Sequence, residues 1–154
     1  MEERSQQQID NQPRGGSYQR EMSLNDPHDP QYGFRIRYAP TYDRDLKRAE
    51  LGQETALLLS ATWDDILAAV IENPDFPDVQ RAGDPIPRNN HELYKLRVAD
   101  PSRNKGSRGS YRLVYWIRRH ERELVGLFLY HKSEKEDVIQ KEIEKAKTRF
   151  LTAS

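Results

Sequence analysis

The order of apolar and polar positions along the chain predicts short strands separated by helices. Alternation with a period of two residues is typical of half-buried β-strands. It occurs in FRIRYAP (34–40), LYKLRV (93–98), SYRLVYWIR (110–118) and ELVGLFLYHK (123–132). Because short loops join the last three segments, we expect them to form an antiparallel meander.

Apolar residues at helical spacing predict three helices between and after these strands. Thr41 is expected to cap a short helix that ends near Glu50. A longer helix is predicted over 53–73, where Pro74 prevents its continuation. Its buried face is predicted to consist of Leu59, Trp63, Ile66, Leu67 and Val70.

A capping box predicts the start of the third helix. Ser133 is followed three residues later by Glu136, the spacing at which the two side chains cap each other's backbone amides. The buried stripe of this helix is predicted to be Ile139, Ile143, Ala146 and Phe150.

These elements predict an α+β fold with a small antiparallel-rich sheet, N-terminal helices and a C-terminal helix, in the order β-α-α-β-β-β-α. The segment 74–90 contains four prolines and is expected to be an irregular connection. Residues 1–33 have few apolar side chains, too few to offset the entropy of ordering, and predict a disordered tail. The folded domain is therefore expected to span residues 34–154.

Composition narrows the class of protein. The chain has no cysteine, which excludes disulfides and thiolate metal sites. It shows no signal-peptide pattern and no apolar run near the ~20 residues that cross a bilayer. We therefore expect a soluble cytoplasmic protein without a membrane partner.

The overall charge of zero hides an asymmetry. Residues 1–91 contain 10 Lys and Arg against 16 Asp and Glu, whereas residues 92–154 contain 15 against 9. Within residues 94–119 eight basic residues accompany one acid, Asp100. A partner with many phosphates would require such a local excess, since each phosphate that is neutralised releases counterions.

Alternation places three cations so that they can converge. Lys95 and Arg97 share one face of their strand, and Arg112 shares a face of the next strand with Val114 and Trp116. The alternative interpretation is a solvated sheet face with extended cationic side chains. The loop before Arg112 adds further charge and has the same alternative, an exposed polar connection. If the polyanion is RNA, the residues expected to contact it are Arg103, Lys105, Arg108, Arg118 and Tyr130.

The pattern favours metal-independent chemistry on a phosphate ester. The four histidines have no metal-ligand spacing, and neither a phosphate-cradling GxxxxGK[ST] loop nor a GxSxG nucleophile motif occurs. We therefore predict no metal and no cofactor. Cations can stabilise the charge that develops on phosphoryl oxygens, and a lysine or His131 can move the proton of an attacking hydroxyl. A lone histidine is more often structural, so that alternative stays open for His131.

The strings YKLRV, SYRLVYWI and ELVGLFLYHKSEKEDV resemble consecutive elements of the RelE/ParE superfamily of bacterial toxins from type II toxin–antitoxin pairs. YRLVY is similar to RelE, and KGSRGSYR is similar to the loop of the HigB-like branch. The resemblance implies a ribosome-dependent mRNA endonuclease that attacks through the 2′-OH, with mRNA, the ribosome and a cognate antitoxin as partners.

The resemblance also implies roles for single residues. Lys95, Arg97 and Arg112 match basic residues that the family uses for proton abstraction and phosphate stabilisation. Where RelE has an Arg and a Tyr near its last helix, this chain has Ser133 and Ile139. The candidates to replace them are Tyr130, His131 and Lys132, so the predicted catalytic set is Lys95, Arg97, Arg112, His131 and Lys132. Two alternatives remain, a ParE-like inhibitor of DNA gyrase and a non-catalytic binding protein with the same fold.

Overall fold

The computed structural model describes residues 33–101, 110–135 and 137–153. Contacts divide the chain into two units, Met1–Arg35 and Ile36–Ser154, and the elements below belong to the second unit apart from the first residue of its first strand. The predicted tail therefore lies almost entirely outside the described residues, as does the loop with Arg103, Lys105 and Arg108. The domain boundary near residue 33 stays a prediction.

A five-stranded sheet with helices on both faces forms the domain. The elements are β1 (Arg35–Tyr38), α1 (Pro40–Ala49), α2 (Gln53–Glu72), α3 (Val79–Ala82), β2 (Asp84–Pro85), β3 (Leu93–Ala99), β4 (Ser110–Arg118), β5 (Glu123–His131) and α4 (Gln140–Ala153). The strand order is β1-β5-β4-β3-β2, and β2 through β5 pair antiparallel with their neighbours. This confirms the predicted α+β class and the antiparallel meander.

The segment 74–90 is more regular than its prolines predicted. Asp78 accepts a hydrogen bond from the backbone N–H of Gln80 and caps α3. Pro85 of β2 then pairs with Tyr94 of β3. The missing N–H of the proline is tolerated there because β2 is an edge strand of the sheet. These two short elements are additions to the predicted order.

The two faces of the sheet bury different helices. On one face Trp63 of α2 meets the Tyr115 ring edge-on at 5.8 Å between centroids. On the other face Trp116 meets Phe150 of α4 at 6.3 Å. The predicted apolar face of α2 is buried throughout, which confirms that helix.

Local contacts correct the predicted start of α1. The helix begins at Pro40, whose fixed φ suits the first helical position, with Ala39 as the extended residue before it. Thr41 lies in the first turn, and its hydroxyl donates to the carbonyl of Leu127 in β5 at 2.6 Å. Thr41 therefore attaches the helix to the sheet instead of capping it.

The predicted start of α4 is also wrong. Ser133 does not cap the helix, because its hydroxyl lies 2.8 Å from Nδ1 of His131, and α4 begins only at Gln140. The carboxylate of Glu142 accepts from the N–H of Ile139 instead, at 3.1 Å. Ile139 consequently precedes the helix and is 59% exposed, contrary to its predicted burial. Three predicted members of the stripe are buried, Ile143, Ala146 and Phe150.

Gly83 provides a test of the connection between α3 and β2. Its φ is +91°, and a Cβ there would lie 2.4 Å from the carbonyl oxygen of Lys95. We expect Gly83→Ala to lower the free energy of unfolding by about 2 kcal/mol, since both the backbone conformation and the contact resist a side chain. Gly52→Ala is the control, because a Cβ at Gly52 would point into open space, with no neighbouring atom of the described chain within 4 Å. Equal urea midpoints for the two variants would contradict this account.

Candidate anion-binding site

Strand register brings the predicted cations together on the face that also carries α4. Arg97 of β3 lies directly opposite Arg112 of β4, and Arg112 lies opposite Tyr130 of β5. Lys95 is two residues from Arg97 and therefore points to the same face. We call Lys95, Arg97 and Arg112 the basic site.

α4 covers only part of this face. It packs over Trp116, which is four residues along β4 from Arg112. The end of the face that carries the basic site borders an open cleft of about 520 Å³. The cleft is lined by four cations and one acid, namely Lys95, Arg97, Arg112, Lys132 and Asp84, together with Val79, Gly83 and Leu96. Its size suits a small polar ligand or part of a polymer.

The electrostatics of Arg112 favour an anion. Its side chain is buried, and Nη1 donates to the hydroxyl of Ser110 at 2.7 Å. Burial, and then the neighbouring charge of Arg97, lower the pKa of Arg112 from its usual value. Like charges directly opposite each other in a sheet are destabilising. A bound anion between the two guanidinium groups would remove that repulsion.

Arg97 is free to bind such an anion. Its residue is exposed, and it forms no hydrogen bond or ion pair with any residue in the parts of the chain that the structure describes. A guanidinium can donate two parallel hydrogen bonds to a phosphate. Arg97 and Arg112 together therefore offer a bidentate donor beside a buried positive charge.

One carboxylate, Asp137, lies among these cations and was not foreseen from the sequence. Its Oδ2 lies 3.2 Å from Nζ of Lys95, and its Oδ1 accepts from the hydroxyl of Tyr130 at 3.4 Å. Burial and then the charge of Asp137 raise the pKa of Tyr130 to about 12, so its phenol is a hydrogen-bond donor at neutral pH. Asp137 lies between β5 and α4, where no periodic pattern predicts the direction of a side chain.

His131 lies on the opposite face of the sheet from the basic site. It pairs with Tyr111 in the register of β4 and β5, and its ring meets the Tyr111 ring edge-on at 5.0 Å. The side chain is 3% exposed, with Nε2 at 3.7 Å from Asp100 Oδ2. The structure therefore does not bring His131 together with the other predicted catalytic residues. Tyr130 and His131 point to opposite faces because side chains alternate along β5, and the register places Tyr130 on the face of Arg112.

Of the remaining predicted residues, Lys132 lines the cleft and Arg118 does not. Arg118 lies six residues along β4 from Arg112, a separation of roughly 20 Å in a strand. Its Nη1 lies 2.5 Å from Glu123 Oε1, and its guanidinium lies 5.2 Å from the centre of the Trp116 ring. These contacts are structural, and a role of Arg118 in RNA binding stays a prediction.

The described residues contain neither a metal-ligand cluster nor a membrane-spanning helix. No group of three or more His, Asp or Glu side chains among them could hold a metal ion. No helix in the same residues is long and apolar enough to cross a membrane.

Comparisons with solved structures find similarities of fold. The fold is similar to a solved structure of a mutant of the E. coli toxin RelE in the free state, with a TM-score of 0.44 and 18% sequence identity. The match covers 76% of this chain and 97% of that one. No family model matches the sequence, and no curated protein matches it either. The basic site therefore has to support any conclusion about function.

Proposed function

We propose that this protein is an endoribonuclease toxin of a type II toxin–antitoxin pair, which cleaves mRNA on the ribosome without a metal. The observation that carries the proposal is the opposed pair Arg97 and Arg112, one exposed and without a partner among the described residues, the other buried. Two such guanidinium groups beside an open cleft match the oxygens of a phosphodiester. In RNA, the 2′-hydroxyl beside each phosphodiester can act as the nucleophile.

The chemistry follows from the position of these groups. The 2′-oxygen attacks phosphorus while its proton passes to a base, the P–O5′ bond breaks, and the 5′-oxygen takes up a proton. Arg97 and Arg112 would stabilise the negative charge that grows on the other phosphoryl oxygens. Lys95 and Lys132 line the same cleft and are the candidates for the proton transfers. His131 has no part in this scheme because it lies on the other face.

A cognate antitoxin is the second partner in this proposal. A segment that restrains the enzyme would have to cover Arg97 and the cleft, and an acidic segment would complement their charge. A gene for a small DNA-binding protein is therefore expected beside the gene of this protein.

The decisive experiment is a cleavage assay with translating ribosomes. Primer extension should show cuts within codons of the translated mRNA for the wild-type protein. The variant with Lys95→Ala and Arg112→Ala together should produce none, and its expression in bacteria should not arrest growth. Wild-type protein that leaves mRNA intact, or a double variant that is equally toxic, would refute the proposal.

A non-catalytic RNA-binding protein is the second candidate, and two observations favour it. Lys95 is already paired with Asp137, and the predicted base His131 lies away from the cleft. This candidate predicts that the wild-type protein protects RNA from cleavage by added nuclease while leaving every phosphodiester intact. The first candidate predicts new 5′-hydroxyl ends.

A further inference from the structure

The carboxylate of Asp137 lies beside the basic site and contacts one of its members, Lys95. It contacts Lys95 on β3 and Tyr130 on β5, so it lies over β4, the strand between them that carries Arg112. Lys95 and Tyr130 both donate to it, as they would to a phosphate oxygen. Asp137 therefore competes with an incoming anion for Lys95, which also lines the cleft.

We propose that Asp137 is an internal counter-anion of the basic site, which the phosphate of a bound RNA displaces from Lys95. This inference rests on the proposed function, since it assumes that RNA is the ligand. The Asp137 side chain is 55% exposed and that of Lys95 is 38% exposed, so solvent screens the pair. Exposed ion pairs of this kind contribute little to stability and are therefore easily exchanged.

Displacement has a measurable consequence for the salt dependence of binding. Each phosphate that a cation neutralises releases counterions and steepens the fall of affinity with salt. When Lys95 leaves Asp137 for a phosphate, the freed carboxylate takes up a cation from solution, and the net release falls by about one ion. Arg97 has no such internal partner in the described residues, so it contributes fully.

Asp137→Asn removes the internal anion and keeps the shape of the side chain, and its amide oxygen can still accept from Tyr130 and from the N–H of Val138. We expect the variant to bind RNA about threefold to tenfold more tightly at low salt, since the competing charge is gone. The slope of log affinity against log salt should steepen by about 0.7, the contribution of one phosphate in a single strand. In a Lys95→Met background the same substitution should leave the slope unchanged.

Asp75→Asn is the matched control. Asp75 forms a similar exposed ion pair, with Arg119 at 3.4 Å, but lies beyond the other end of β4. Its substitution changes the net charge by the same amount, so equal tightening by both variants would refute the inference. Thermal unfolding of each variant would show that the fold is retained.

The probe is a short single-stranded RNA with 2′-O-methyl groups, which binds but cannot be cleaved. Binding by fluorescence anisotropy over a series of NaCl concentrations gives both affinity and slope. If the wild type binds the RNA and the affinity of the Asp137→Asn variant is equal or lower, the inference about Asp137 is refuted. Absence of wild-type binding at every salt concentration would refute the inference, whereas only the cleavage assay with translating ribosomes decides the proposed function.

Discussion

Replacing Arg112 with methionine is expected to slow RNA cleavage by about 100-fold to 1,000-fold while making the protein more stable. The side chain is buried, faces the like charge of Arg97, and has a hydrogen bond to Ser110 as its described polar contact. Removing the charge relieves burial and the repulsion of Arg97, which together outweigh the attraction of Asp137, and we expect the free energy of unfolding to rise by about 0.5 to 1 kcal/mol. Methionine fills a similar volume beside Val114 and Tyr130.

The loss of activity should be large. A positioned donor to a developing oxyanion contributes about 100-fold to 1,000-fold in rate, and Arg112 is the buried donor of the basic site. Compared with Arg112→Met, the Arg112→Lys variant should recover part of the RNA affinity but little of the cleavage rate. An ammonium group cannot donate the parallel pair of hydrogen bonds that a guanidinium donates. Cleavage rates on ribosomes and urea unfolding of the same samples measure both effects.

Arg149→Met is the control for Arg112→Met. Arg149 lies exposed on α4 and its loss changes the net charge by the same amount. We expect its stability to change by less than about 0.5 kcal/mol and its cleavage rate to stay near that of the wild type. If Arg112→Met lost stability and kept its activity, Arg112 would be a structural residue and the proposed site would be wrong.

Arg112→Met is thus expected to gain stability and to lose activity, and this trade-off makes the basic site a candidate for function. A sequence under selection for stability alone would place an apolar residue at Arg112, as it does at Val114 on the same face. Local costs of this kind persist where a ligand offsets them. The positions of two charges are enough for this conclusion, without comparison with another protein.

Alternation along the strands predicted most of this arrangement. It gave the correct face for Lys95, Arg97 and Arg112, because the side-chain period in a strand is fixed by backbone geometry. It did not give the register, which depends on the turn between β3 and β4 and on long-range packing. The direct opposition of Arg97 and Arg112 is therefore a finding of the structure.

The errors lie where local signals compete with tertiary contacts. Ser133 and Glu136 match a capping box, but the hydroxyl of Ser133 is taken by the buried ring of His131. α4 therefore begins only after Asp137, and this carboxylate lies beside Lys95. A local motif of four residues carries no information about the tertiary contacts that position His131 next to Ser133.

The buried carboxylate of Glu123 is expected to carry much of the stability at the other end of the sheet. Its side chain is 3% exposed, with Oε2 at 2.9 Å from Arg37 of β1 and Oε1 at 2.5 Å from Arg118 of β4. Both guanidinium groups also lie over the ring of Phe150 in α4, at 5.1 and 5.7 Å. One carboxylate thus connects three strands and a helix.

Glu123→Gln should lower the free energy of unfolding by about 2 to 3 kcal/mol, because it leaves two arginines without their shared partner in a partly buried setting. Glu121→Gln is the control: Glu121 also pairs with Arg118, at 3.5 Å, but its side chain is 49% exposed, and its loss should cost less than about 0.5 kcal/mol. Urea midpoints measure the difference. Since Glu123 lies at the end of the sheet away from Arg112, the folded Glu123→Gln protein should lose no RNA affinity relative to the wild type. Similar midpoints for the two variants would show that exposure does not set the strength of these pairs, and a loss of RNA affinity would show that the two ends of the sheet are coupled.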